Sequence, residues 1–400
     1  MNLSLSGSFL ATAVLFASLS LHAQKGIPAK QVVNINHTTN YPQHIDFKPV
    51  MVKQLKVPAG WEVMAAATGL GKPRMLLAGR NGELYVTRRD AGDVLLLKDV
   101  NGDNKFEEMI TVVADFKGVH GIAMKDNQMY LCNNRELKRF PILADGKLGA
   151  EELIFNDLPD GGQHGNRTMA FGPDGLLYLS VGSTCNDCNE TNKENATMLV
   201  IDVVNKTRSI YARGLRNTIG FDWDRNGQLY GVDNGGDAKG EDWPPEELNM
   251  ISKDKDYGWP LVYAKREVDQ TREDPVGTTK EAYAKTTEPS LFEFPAHSAP
   301  IAFSFMKNAS TLAPTEQDDA LVCWHGSWNR RNPDGFKVQQ IIFENGKPVG
   351  TRDFLSGFLS ADKRSRFGRP AGLVVTPEGA VYISDDANGV IYCVKKISNK

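Results

Sequence analysis

In residues 161–171, GGQHGNRTMAF, three side chains able to do chemistry stand in a glycine-rich loop: Gln163, His164 and Arg167. The loop runs into GPDGLLYLSVGS, a Pro-Asp-Gly turn followed by alternating apolar residues, which is the pattern of a strand. An imidazole at the mouth of a strand can serve as a general base near neutral pH, and a guanidinium beside it can hold an anion. Residues of the same kind precede other apolar runs: Arg74 in KPRMLLA, His120 in GVHGIAM, Arg216 and Asn217 in GLRNTIGF, His297 in PAHSAPIAFSF, and Arg369 in FGRPAGLVV. One such loop reads equally well as a solvated turn. Six of them, rich in cations and poor in carboxylates, are better explained as a ring around an anionic ligand.

A ring needs elements that bring distant loops together. A turn with Gly or Asn, then an apolar residue, then Tyr recurs at Tyr85, Tyr130, Tyr178, Tyr230 and Tyr382, with a degenerate copy at Trp324. Most spacings fall between 45 and 58 residues, the range of propeller blades. The gap from Tyr230 to Trp324 is longer and holds a charged, aperiodic insertion over 254–287. Six such units predict an all-β fold, a six-bladed β-propeller spanning 55–400, with the polar loops on one face. The first blade is expected to begin near Gly60-Trp61-Glu62-Val63, after an N-terminal extension over 24–54.

The remaining composition narrows the setting. Residues 1–23 hold a short apolar run from Phe9 to Leu21 and read as a cleaved signal peptide, which predicts a periplasmic or secreted protein. No other apolar run is long enough to span a bilayer. The 400-residue chain has 41% hydrophobic residues and a formal net charge of −3, so no global field points to nucleic acid or an anionic membrane. In an exported chain, Cys185 and Cys188 are expected to form a local disulfide, with Cys132, Cys323 and Cys393 buried. The segment Asp99–Glu108 alternates acidic and amide residues like a calcium loop. It has Asn104 where that pattern needs Gly, which favours a plain polar turn.

The order His164-x-x-Arg167 before GPDG, then GLRN, DYGWP, HGSWNR and GRPAG, resembles the soluble glucose/sorbosone dehydrogenase family, and most of all its sorbosone dehydrogenase-like members. The resemblance covers roughly residues 55–396 and implies a six-bladed propeller that oxidises sugars or aldehydes with pyrroloquinoline quinone and calcium. It implies that His164 is the general base, preceded by Gln163 where the family has an acidic or polar residue. It also implies that Arg216 and Asn217 hold the quinone, that backbone carbonyls of Gly235 and Gly236 bind calcium, and that Arg369 binds a cofactor carboxylate. A second arginine falls at Phe367 and a glutamine at Phe116, so both are replaced. His120 is near the latter, and Arg330 or Arg331 stands in for a family lysine. Trp328 either stacks on a ring ligand or packs between blades, and His297 and His325 either face the pocket or are structural. The absence of a CxxCH haem motif predicts a separate electron acceptor. A metal-dependent sugar lactonase, with Asp233 and Asp237 as its nearest carboxylates, and a non-catalytic glycan- or protein-binding propeller are the rival readings.

Overall fold

The computed structural model describes residues 38–397, so the expected signal peptide lies outside the described residues. Among these residues, six antiparallel four-stranded sheets follow one another along the chain. Blade 1 is Leu76–Ala78, Leu84–Arg88, Asp93–Lys98 and Glu108–Val113. Blade 2 is Gly121–Lys125, Gln128–Cys132, Leu137–Pro141 and Glu152–Phe155, and blade 3 is Met169–Phe171, Leu177–Val181, Thr197–Asp202 and Thr207–Arg213. Blade 4 is Thr218–Trp223, Leu229–Asp233, Glu246–Ile251 and Phe292–Phe294, and blade 5 is Pro300–Phe305, Ala320–Trp324, Lys337–Glu344 and Lys347–Leu355. Blade 6 takes Pro370–Val375, Val381–Asp385 and Val390–Lys396 from the C-terminus and its outer strand, Trp61–Ala67, from the N-terminus. The architecture is a six-bladed β-propeller. The expectation that Trp61 opens the first blade is corrected: that strand closes the last one. Its seven residues pair with Val390–Lys396, from Trp61 opposite Lys396 to Ala67 opposite Ile391.

Among the described residues the apolar side chains form six cores between neighbouring blades and two smaller clusters at the blade 4 insertion. Tyr85, Leu96, Met129 and Leu131 fill the space between blades 1 and 2, and Tyr230, Leu248, Phe303 and Val322 that between blades 4 and 5. Residues of a strand alternate between two faces, so each blade supplies one face to the core before it and one to the core after it. The recurring tyrosine belongs to these cores. The hydroxyls of Tyr85, Tyr230 and Tyr382 each donate to the outer hairpin of the next blade: to Gly146 O (2.6 Å), Gly346 O (3.1 Å) and Asn104 Oδ1 (3.3 Å). Asp99 to Glu108 is thus a docking turn for Tyr382, and the Asp99 carboxylate accepts from the backbone N–H groups of residues 101–104. In blade 5 the tyrosine position is Leu321. Trp324, taken as the degenerate copy, sits three residues on, at the end of its strand opposite Pro300.

The insertion falls between the third and fourth strands of blade 4 and carries a short hairpin, Val262–Tyr263 with Glu267–Val268, and a helix, Lys280–Ala284. Residues 40–46 run in front of blades 5 and 6. Gln43 and His44 pair in parallel with Ser365 and Arg366. No helix among the described residues is long and apolar enough to cross a membrane.

Candidate functional site

Because the cores lie between blades, the axis is free for polar groups. In each blade the first strand begins, and the antiparallel second strand ends, on the same face. The two sets of residues meet there, within a blade or across to the next: Arg74 with Arg89 and Asp90, Arg167 with Asn134, Arg216 with Asp233, and Arg369 with Asp385 and Asp386.

Two walls of this face differ in character. On blades 3 and 4, His164 lies part-buried with Nδ1 2.8 Å from Ser183 O and 2.9 Å from Ser183 Oγ. A carbonyl only accepts, so Nδ1 carries the proton and Nε2 keeps its lone pair. Burial, reinforced by the nearby Arg216 and Arg167 charges, pushes the His164 pKa down to about 4, so the ring is neutral at pH 7. Arg167 is a clamp rather than a ligand group. It is fully buried and donates to His164 O (3.0 Å), Pro159 O (2.8 Å) and Asn134 Oδ1 (3.1 Å), shaping the loop that presents His164. Gly182 is required for this approach, because a Cβ there would lie 2.6 Å from His164 Cβ and 2.8 Å from Asn217 Oδ1.

Arg216, 3% exposed, donates from Nε to Asn186 O (3.0 Å), from Nη1 to Asn234 O (3.1 Å) and from Nη2 to Asn186 Oδ1 (2.9 Å). The backbone N–H groups of Arg216 and Asn217 both donate to the buried Asp233 carboxylate. Gly235 and Gly236 follow in the same turn. Gly235 N donates to Glu246 Oε2 (2.7 Å), and neither glycine carbonyl accepts a hydrogen bond among the described residues.

Blades 6 and 1 form the other wall, a cleft of about 450 Å³. Lys72, Arg74, Arg89, Arg366 and Arg369 line it, against two carboxylates, Asp90 and Asp386. Arg74 and His325 share Asp386; His325 Nε2 is 2.9 Å from its Oδ1. Burial raises the Asp386 pKa, but His325, Arg74 and Arg369 outweigh it and hold the carboxyl well below its usual range. Arg74 Nε is buried without a partner among the described residues. Arg369 donates to the His325 and Gly326 carbonyls (3.0 and 3.2 Å). The cleft therefore holds more positive charge than the protein neutralises, which is the donor set of a polyanion site.

Position 367, where the resemblance places an arginine, does not face the cleft, but its neighbour does. Phe367 packs on Phe358 in the core, 5.5 Å between ring centroids, while Arg366 lines the cleft. Phe116 is likewise a core residue.

Of the expected residues, Arg74 and Arg369 line the cleft, whereas His164, Arg216, Asn217, Gly235 and Gly236 stand outside its lining on blades 3 and 4, and several others are turned away from it as well. His120 is fully buried, with Nδ1 3.3 Å from Arg167 O, Nε2 unpartnered among the described residues, and its pKa pushed by burial to about 3. His297 bonds through Nε2 to Gly240 O (2.7 Å) and through Nδ1 to Asn329 Nδ2 (3.2 Å), so both nitrogens are occupied. Arg330 is turned outward to Ala296 O and Asp242, each 2.8 Å away. Gln163 is exposed and makes no side-chain hydrogen bond among the described residues. Trp328 is 37% exposed and stacks on Tyr41 at 6.0 Å, beside the cleft rather than between blades. Sequence reasoning missed Lys72, Arg89, Arg366, Asp386, His44 and Asn186. Four of these six lie at or just past the C-terminal end of a second strand or in the N-terminal segment, whereas the sequence pattern followed only the starts of first strands.

Residues 55–397 match the TrAA12-like family. The chain belongs to that family. A pyrroloquinoline quinone-dependent pyranose dehydrogenase from Coprinopsis cinerea is 24% identical over 413 residues, covering 86% of this chain and 55% of that protein. The chain thus spans about half the length of that relative. A protein of Borreliella burgdorferi without an assigned activity is 28% identical over 359 residues, 85% of this chain and 90% of its own. Among solved structures, the calcium structure of the Trichoderma reesei carbohydrate-active enzyme of family AA12 superposes with a TM-score of 0.75 at 20% identity, covering 86% of this chain and 97% of that one. The holo form of the Coprinopsis cinerea pyranose dehydrogenase quinone domain gives 0.73 at 21%, over 90% and 100%. At such identities the superpositions establish the propeller fold of this TrAA12-like chain.

Proposed function

We propose that this TrAA12-like protein is an exported quinoprotein that oxidises a sugar or sugar-derived aldehyde with pyrroloquinoline quinone and calcium, passing electrons to a separate acceptor. One observation carries the reading: a cleft with five cations, two carboxylates and an unpartnered Arg74 Nε stands on the same face as a neutral histidine with a free Nε2. Pyrroloquinoline quinone, with three carboxylates, fits that surplus, and Arg74, Arg366 and Arg369 would hold it together with Arg216 and Asn217. The unengaged carbonyls of Gly235 and Gly236 suit a hard cation such as calcium. Once bound, the quinone would supply an electrophilic carbonyl that accepts hydride, polarised by the metal.

The chain's own residues supply the rest. His164 Nε2 takes the substrate hydroxyl proton, while Ser183 fixes the ring through Nδ1, the role the missing carboxylate at Gln163 does not fill. Trp328 and Tyr41 offer an aromatic edge to a sugar ring. The lactonase reading is disfavoured because Asp233 is spent on backbone N–H groups and Asp237 on Asn329, and among the described residues the carboxylates that converge, Asp99, Asp103 and Glu107, lie on the outer hairpin of blade 1 and not on this face. The disulfide of Cys185 with Cys188 agrees with export and a cleaved leader over 1–23.

The test is reconstitution of the purified protein with pyrroloquinoline quinone and calcium, followed by absorbance and by dye reduction across an aldose and aldehyde panel. Calcium-dependent binding with dye reduction is the expected result. His164→Ala should keep binding and lose about 10²–10⁴-fold in turnover. Absence of binding sinks the quinoprotein reading, and unchanged turnover moves the base to His325, whose Nε2 already has a carboxylate partner in Asp386.

A further inference from the structure

The disulfide of Cys185 and Cys188 encloses two residues, and both are spent on the site's surroundings. Asn186 is a hub. Its main-chain O and Oδ1 accept from Arg216 (3.0 and 2.9 Å), its Oδ1 accepts from Asp237 N (2.7 Å), and its Nδ2 donates to Asp237 O (2.9 Å). Two of the three nitrogens of the Arg216 guanidinium therefore rest on one asparagine, which also pins the turn that follows Gly235 and Gly236. Asp187 faces the other way, to Lys239 (2.7 Å) and Arg272 (2.9 Å), and so anchors the blade 4 insertion. Just before the ring, Ser183 Oγ donates to Cys185 O (2.8 Å), and Ser183 in turn orients His164.

We propose that the disulfide-closed ring, acting through Asn186, is the positioning device of the active wall: it sets Arg216, the Asn234–Asp237 turn and, by way of Ser183, His164. Backbone loops lose conformational freedom at a cost, and a covalent closure around Asn186 removes that freedom in advance. Groups that orient ligand-binding residues commonly change affinity by 10–100-fold when lost, although they touch no ligand. The inference rests on the quinoprotein reading for its first readout and not for its second.

The experiment compares wild type with Asn186→Ala, with Asn186→Asp and with the double variant Cys185→Ser/Cys188→Ser. Asn186→Asp keeps the oxygen acceptor for Arg216 and loses the donor to Asp237. The first readout is the dissociation constant for pyrroloquinoline quinone at saturating calcium. We expect roughly a 10–100-fold loss in Asn186→Ala and in the double variant, and a smaller loss in Asn186→Asp. The second readout uses no cofactor: the imidazole titration of His164 by NMR. Freed from its burial and from the Arg216 charge, it should move upward from about 4 in the native chain toward about 6.5 in the double variant. The Ser183 bond raises the value, and its loss offsets only part of that rise. If the double variant fails to fold, Asn186→Ala with its disulfide intact carries both readouts. Wild type that binds the quinone, with all variants binding equally well, overturns the proposal. Wild type that binds no quinone ends the quinoprotein reading instead, and an unshifted His164 titration would then dispose of the positioning role on its own.

Discussion

The two walls of the polar face solve opposite problems. On blades 3 and 4, each cation has protein oxygens: Arg167 has Pro159, Asn134 and His164, and Arg216 has Asn186 and Asn234. On blades 6 and 1, five cations share two carboxylates, and Arg74 Nε has no partner among the described residues. On the first wall the directions of the side chains are fixed by hydrogen bonds in the free protein. The second is completed only by an anion. A wall that must aim a base at a substrate benefits from being rigid beforehand. A wall that must capture a polyanion gains from unneutralised charge, because desolvated opposite charge strengthens the capture.

The sharpest way to break this contrast is to neutralise the open wall. Arg74→Gln with Arg369→Gln should weaken pyrroloquinoline quinone binding by roughly 100-fold or more, since each charge-assisted contact contributes about 1.5–3 kcal/mol. Melting temperature should fall as well, because Arg74 pairs with the part-buried Asp386 and Arg369 bonds two carbonyls, but affinity should fall by more. An equal loss of stability and affinity would mean that these arginines support the fold and that the wall is closed like its neighbour.

A smaller effect is expected on the closed wall. His164 is part-buried and neutral, its pKa pushed to about 4 against about 6.5 when unfolded. Unfolding below pH 6.5 takes up a proton at this ring. Its contribution to stability is therefore complete above about pH 6.5 and is lost as pH falls toward 4. The stability difference between wild type and His164→Asn, from denaturant unfolding without cofactor, should change by on the order of 2 kcal/mol between pH 7 and pH 4. A difference independent of pH would place the imidazole in solvent and remove the rigid-wall argument.

The smallest effect concerns what holds the walls. Tyr382→Phe deletes the hydroxyl that reaches Asn104 across the blade 6–blade 1 interface and should cost about 1 kcal/mol. The open wall spans that interface. A reduced quinone affinity in this variant, beyond the stability loss, would show that the cleft depends on blade spacing.

Much of this was legible in the sequence. Period-two apolar runs, turn glycines and the recurring tyrosine determine six sheets, because each short strand is hydrophobic on faces that only neighbouring blades can cover. The residues at the starts of the inner strands, Arg74, His164, Arg216 and Arg369, are readable for the same reason: a repeat puts equivalent loops on one face. The pairing of Cys185 with Cys188 is readable from their spacing together with the apolar leader that points to export.

Tertiary structure decided which of the polar residues are free. Arg167 and Arg216 look alike in sequence beside Arg74, yet both spend their Nη groups on neutral protein oxygens of blades 2 to 4, whereas Arg74 lines the cleft and shares one carboxylate, Asp386, with His325. His120 and His297 follow the same sequence rule as His164, but only His164 keeps a nitrogen without a bond outside the core. Arg366 lines the cleft while Phe367, next along the chain, packs on Phe358, because successive residues of an extended chain face opposite sides. Asp386, Arg89 and Asn186 belong to the site through antiparallel pairing and a disulfide ring. Such contacts join residues far apart in the chain, and no local pattern encodes them.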